Sequence, residues 1–185
     1  MMEIEQTPKD ILVFWFDEID SAMWWKRDEA FDQQIREKFS ALHQHASAGA
    51  LYQWRTSAEG RLAEIIILDQ FSRNMFRDSP QAFAQDPLAV ALCQEGIERG
   101  LDLQLTDVQR SFFYMPLMHS EHAMIHELAV TQFSTLEKED NLKFELLHKK
   151  IIDQFGRYPH RNAVLGRKSS PEEIIFLKDP SSPRF

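Results

Sequence analysis

One short pattern is written twice in this chain: Asp-Gln-Phe-x-Arg at Asp69–Arg73, and again 84 residues later at Asp153–Arg157. Each copy follows an apolar helical run and leads into a turn rich in Arg, His and Asn. Turns of that kind, held at the ends of buried helices, bring several fixed hydrogen-bond donors together, which suits an anion or a polar ligand. In the first copy Asp69 falls on a face expected to be buried, where an unpaired carboxylate is costly. Arg73 stands at i+4, the spacing of a helical ion pair, so Asp69 reads as a structural pin of the helix end. Arg73, Asn74 and Arg77 are then the ligand-binding candidates of this turn.

The second turn reads Phe155-Gly156-Arg157-Tyr158-Pro159-His160-Arg161-Asn162, with Gly166-Arg167 beyond it. Gly156 permits a positive φ just past the helix, and Pro159 stiffens the loop. A stiff loop carrying Arg157, Arg161, Asn162 and Arg167 is either a preorganised anion site or an anchor for helix C-terminal carbonyls. Its fixed shape argues against a merely solvated basic loop.

Histidines are the candidate proton carriers. His148 sits on an apolar helical face, where a hydrogen-bonded core histidine is the plain reading. At the 84-residue offset it corresponds to Glu64, and a Glu–His pair facing one pocket would move protons. His119 and His160 complete the candidate catalytic set, with Glu121 as a ligand-binding neighbour. His122 and His126 have the i, i+4 spacing that can chelate zinc. They lack the His-Glu-x-x-His signature and a third ligand, so no metal is assigned and surface histidines are expected. No Gly-x-Gly-x-x-Gly, Walker-type or Gly-x-Ser-x-Gly pattern is present, and nothing points to a particular cofactor.

Helices must position these residues. Thr7-Pro8, Ser57, Asp86-Pro87, Thr106, Ser120 and the capping box Ser170-Pro171-Glu172-Glu173 are helix starts. Gly49, Gly100 and Gly156 are stops, and Pro116 is expected to end or kink its helix. Phe144, Leu147, His148, Ile151, Ile152 and Phe155 form the best apolar stripe. Trp24, Trp25 and Trp54 read as packing residues. No strand alternation is evident. The expectation is an all-α fold of about eight helices in stacked antiparallel pairs, one domain over residues 1–178 and a loose tail over 179–185.

A net charge of −8 argues against general binding to nucleic acid or to an anionic membrane surface. The single Cys93 permits no internal disulfide, and neither a leader nor a membrane span is read, so the chain is expected to be cytoplasmic.

Five separated motifs occur in one order. They are Trp24-Trp25 with Phe31-Asp32; Leu68-Asp69-Gln70-Phe71-Ser72-Arg73-Asn74 with Phe76-Arg77; Ala82-Phe83-Ala84 with Asp86; Phe113-Tyr114-Met115-Pro116-Leu117-Met118-His119-Ser120-Glu121; and Phe155 to Asn162 with Leu165-Gly166-Arg167. That order, over nearly the whole chain, resembles the bacterial family called domain of unknown function 924. The resemblance implies a right-handed, tetratricopeptide-like helical array and no particular reaction. It carries over Asp69, Arg73, Asn74, Arg77, His119, Glu121, Arg157, His160, Arg161, Asn162 and Arg167. His122 and His126 depart from the family pattern, where an acidic residue and Gln are expected, which weighs against a histidine-based metal site.

Two functions fit. One is a small-molecule site for an anionic or polar ligand, with Arg73 and Arg161 facing a common hollow and histidines as proton carriers. The other is a helical binding module whose Arg-lined groove captures an acidic peptide without catalysis.

Overall fold

A computed structural model describes residues 6–183, and among these no strand is present. Residues 1–5 of the expected domain and 184–185 of the expected tail lie outside the described residues. The helices are α1 (Pro8–Val13), α2 (Glu29–Ser47), α3 (Ala58–Ile66), α4 (Ser72–Met75), α5 (Asp86–Glu98), α6 (Asp107–His119), α7 (Ala123–Phe133), α8 (Glu139–Phe155) and α9 (Pro171–Lys178). A π-helical turn, Ile67–Phe71, joins α3 and α4 into one rod. The fold is therefore all-helical, as the punctuation predicts.

The starts at Thr7, Ser57, Thr106 and Ser170 stand as N-caps, with capping boxes at Thr7, Thr106 and Ser170. Three boundaries differ. Asp86, expected as a cap, is the first residue of α5, behind the N-cap Gln85. Pro116 lies inside α6, one turn from its end, where the lost backbone bond is outweighed by burial of Met115, Leu117 and Met118. Ser120 closes α6 instead of opening α7, whose N-cap is His122.

The α3–α4 rod is central. Every residue from Gly60 to Ser72 is buried, as expected for a helix apolar on more than one side. α1 and α2 pack on it from one side and α5 and α6 from the other, while α6, α7 and α8 pack in succession. An aromatic cluster fills the middle, with Phe39 and Phe71 stacked at 4.8 Å and Trp15 edge-on to Phe71 at 5.6 Å. Trp25 is not a core residue: it is 66% exposed and lies flat over Phe112. The α8 stripe is also rotated from expectation. Glu145, His148, Ile151 and Ile152 face inward, and Phe144 and Leu147 are exposed. The buried partner of Glu145, His126 on α7, accounts for that rotation.

α5 can approach the rod because of Gly96. A Cβ there would run into the Phe113 ring and lie 2.8 Å from Arg61 Cδ. Both neighbours are fully buried and cannot give way. Gly96→Ala therefore sets an overpacking cost of about 1–3 kcal/mol against a helix-propensity gain of about 1 kcal/mol. The expected net result is a loss of about 0–2 kcal/mol by urea denaturation, and a stabilised variant would contradict this packing.

Candidate functional site

The π turn adds a residue to the rod where the first motif begins, and such turns recur at functional sites. It turns Asp69 fully inward. Asp69 Oδ1 lies 2.8 Å from His119 Nδ1 and 3.0 Å from an Arg73 guanidinium nitrogen, while Gln70 donates to Oδ2 at 2.6 Å. Burial would push this carboxyl up, but Arg73 and His119 outweigh it and hold it below the usual carboxylate range. For His119, burial and then the Arg73 charge push the imidazole down, against Asp69. The pair is thus carboxylate and neutral imidazole. An ionised carboxylate can only accept, so Nδ1 carries the ring proton and Nε2 presents its lone pair.

Asp86 joins the two Arg turns. It accepts from both Arg73 terminal nitrogens at 3.0 and 3.1 Å, and from Arg161 at 3.0 Å. Arg161 also donates to the His119 carbonyl at 3.0 Å. Its guanidinium carbon lies 4.4 Å from the Phe83 ring centroid and 4.8 Å from that of Tyr158. The two guanidinium groups expected to face a common hollow meet instead on a carboxylate, Asp86, whose sequence position suggests only a helix start. The charges Asp69, Asp86, Arg73 and Arg161 sum to zero with His119 neutral.

Beside this cluster a groove of about 610 Å³ is lined by Phe83, Asp86, Val90, His119, Ile125 and Arg161, among others. Its wall is mostly apolar. That size falls in the ordinary range for small-ligand sites, ~300–1,000 Å³.

The remaining candidates lie elsewhere or serve other partners. Arg77 and Asn74 both donate to Asp32, Arg77 at 2.6 and 2.7 Å and Asn74 at 2.7 Å. Arg167 forks onto Glu121 at 2.6 and 2.8 Å and reaches Asn162, while the Tyr158 backbone N–H also donates to Glu121. Arg157 forks onto Glu173 at 2.7 and 2.8 Å, and Asn162 donates to the same carboxylate. These bonds pin the segment after α8, which Gly156 opens with φ +68°. His148 Nδ1 donates to the Phe144 carbonyl, 2.8 Å away, and burial pulls its pKa to about 3, so it is neutral. Glu64 does not share its surroundings; it is gripped by Arg55 at 2.7 Å through both oxygens. His160 is exposed, its ring 5.4 Å from that of Tyr158. The second copy of the repeated motif is unlike the first: Asp153 is on the surface and pairs with Lys149.

Histidines 122 and 126 never acquire helical i, i+4 geometry, because His122 has φ −129° and ψ 118° and stands outside α7. His126 is not a surface residue but fully buried, 2.7 Å from Glu145. Among the described residues no group of three His, Cys, Asp or Glu side chains is placed to hold a metal ion. Among them, too, no helix is long and apolar enough to cross a membrane.

A family model described as "Bacterial protein of unknown function (DUF924)" matches residues 11–181. Among solved structures, a protein of unknown function from Agrobacterium tumefaciens, ATU0120, is 36% identical with a TM-score of 0.88, over 92% of this chain and 96% of that one. No curated protein matches.

Proposed function

We propose that this chain, which belongs to the bacterial family of unknown function DUF924, binds a small polar molecule in the groove beside His119 and uses His119 as a proton acceptor. The observation that carries this reading is the 2.8 Å contact between Asp69 and His119 Nδ1 at the wall of the groove. A buried carboxylate on Nδ1 does three things. It fixes the tautomer, orients the ring, and stabilises the imidazolium that forms when Nε2 takes a proton. Arg73 and Asp86 complete the setting: Arg73 keeps Asp69 ionised, and Asp86 holds Arg161 at the groove wall. An acidic peptide is the weaker reading, because Arg77, Arg157 and Arg167 are each already forked onto a carboxylate. Such pairs leave little positive charge to capture one.

Histidine-selective ¹⁵N NMR tests the base. In the native chain His119 is expected to carry its proton on Nδ1 and to titrate below its ordinary value of 6.5, staying neutral at pH 7. Asp69→Asn keeps an acceptor for Nδ1, because Arg73 donates to the same oxygen, but removes the charge that raises the imidazole, so the His119 titration should move further down. A native His119 already protonated on Nε2, or charged at pH 7, would sink the reading.

A further inference from the structure

We infer that the groove takes an uncharged phenol, its ring against the apolar wall and its hydroxyl donating to His119 Nε2. This rests on the proposed function and names the ligand class of the same groove. The first observation is that the wall has no charge to spare. Asp86 is met by Arg73 and Arg161 at 3.0 to 3.1 Å, and Glu121 is forked by Arg167 at 2.6 and 2.8 Å. Arg161 is spent on Asp86 and on the His119 carbonyl, and its Nε is sealed from solvent. Behind the wall Asp69 is paired with Arg73. His122, also on the wall, is exposed, so water and salt screen it. A ligand of either sign would carry into a partly enclosed place a charge that no group is left to meet, which is costly.

The second observation is an unspent acceptor. With Nδ1 committed to Asp69, His119 Nε2 has no hydrogen-bond partner among the described residues, and it is reached by solvent through a side chain 17% exposed. In the neutral ring Nε2 can only accept, so the ligand must bring a donor. The Ser120 hydroxyl, on the same wall, both donates and accepts and so selects neither. The third observation is the shape of the rest. Phe83 and the prolines Pro80 and Pro87 offer flat rings, and Val90, Ile125 and Leu165 offer branched hydrocarbon, which suits an aromatic body. Among neutral donors the base selects by acidity. A phenolic hydroxyl ionises near about pH 10, within reach of an imidazole at about 6.5; an alkanol holds its proton far more tightly, and a thiol is the weaker hydrogen-bond donor. When the O–H proton passes to Nε2, the O–H electron pair stays on oxygen. An imidazolium faced by Asp69 then stands beside a phenolate, and the net charge of the site is unchanged.

Para-chlorophenol, uncharged at pH 7, is the probe, with para-chloroanisole, para-chlorobenzoate and para-chlorobenzylamine as companions of the same ring. Calorimetric titration should show saturable binding of the phenol. The methyl ether, which keeps the body and loses the donor, should bind about five- to tenfold more weakly, the worth of one hydrogen bond. Benzoate and benzylamine should bind more weakly still. In ¹⁵N NMR the His119 Nε2 resonance should move on adding the phenol and stay put with the ether. Affinity should fall at higher pH as the phenol ionises in solution. His119→Leu should erase the preference for phenol over ether; if that variant does not fold, the ether comparison on the native chain decides alone. Equal binding of phenol and ether, tighter binding of either charged companion, a phenol that leaves Nε2 unmoved, or no binding of the phenol would each overturn the proposal. Such a failure is separable from failure of the base, because the tautomer of His119 is read without ligand.

Discussion

Asp86→Ala is expected to destabilise the protein by about 3–5 kcal/mol, and formate or acetate should restore part of the loss. Asp86 is the carboxylate shared by Arg73 and Arg161, with contacts of 3.0 to 3.1 Å. Removing it leaves two like charges facing each other across a small new cavity, with Arg161 buried at 6% exposure. Burial and the neighbouring Arg73 already pull Arg161 down from its ordinary pKa, and Asp86 is the main group that opposes them. Guanidinium does not shed its proton in proteins, so the strain must appear as lost stability. A small carboxylate from solution can occupy the vacated position and stabilise the variant by mass action. The expected pattern is a melting temperature of Asp86→Ala that rises with formate at constant ionic strength, while that of the native chain does not. Asp86→Asn, which keeps the shape but not the charge, should fall between the two. An Asp86→Ala variant as stable as the native chain, and indifferent to formate, would show that the two guanidinium groups do not depend on Asp86.

How far the sequence reveals this site depends on where each partner lies along the chain. The Asp69–Arg73 pair is one helical turn apart and can be read directly. Asp86 and Arg161 are 75 residues apart, and a carboxylate at a helix start already has a local explanation in the helix dipole. Nothing in the spacing asks for a distant partner. The Arg turns show the same limit in reverse. Arg157, Asn162 and Arg167 are recognisable as ordered donors, but whether they are free for a ligand depends on Glu173 and Glu121. Glu173 reads as a capping-box residue, and it does cap, with Ser170 N–H donating to it at 2.7 Å; the same carboxylate also holds Arg157. The all-helical fold was legible because caps and periodicity are local. The face that α8 turns inward was not, since it is decided by a polar partner on α7.

That partner sets up a second large effect, at Glu145. His126 Nε2 lies 2.8 Å from the Ser120 carbonyl, which can only accept, so Nε2 bears a proton. Tyr158 spends its own hydroxyl proton on the Met118 carbonyl at 2.5 Å and turns a lone pair toward His126 at 3.3 Å. On the other side His126 Nδ1 meets Glu145 Oε1 at 2.7 Å, and both residues are fully buried. Glu145 Oε2 has no hydrogen-bond partner among the described residues. Burial pushes the Glu145 carboxyl up, against the pull of His126, and an acid with one unbonded oxygen is far less costly to bury than a carboxylate. In its acid form Glu145 donates its proton to Nδ1, and the unbonded Oε2 favours that form.

The amide of Glu145→Gln can make the same donation, so below the unfolded carboxyl's value of about 4.5 this variant should lie within about 1 kcal/mol of the native chain. Glu145→Ala leaves Nδ1 without a donor beside a new cavity and should cost about 3–5 kcal/mol. The pH dependence separates the cases further. A carboxyl whose folded pKa is raised above its unfolded value of about 4.5 loses stabilising power as pH climbs through that window. Glu145→Gln removes the loss and should therefore gain on the native chain as pH rises above about 4.5 in denaturant titrations. Were the pair instead an imidazolium bound to a carboxylate, Glu145→Gln would strand a buried positive charge and cost as much as the alanine variant. The consequence reaches the groove, because Tyr158 carries the ring beneath Arg161 and Ser120 follows His119 directly. A loosened Glu145–His126 pair would shift both walls of the site, so Glu145→Ala should also weaken whatever binding His119 supports, while Glu145→Gln should not.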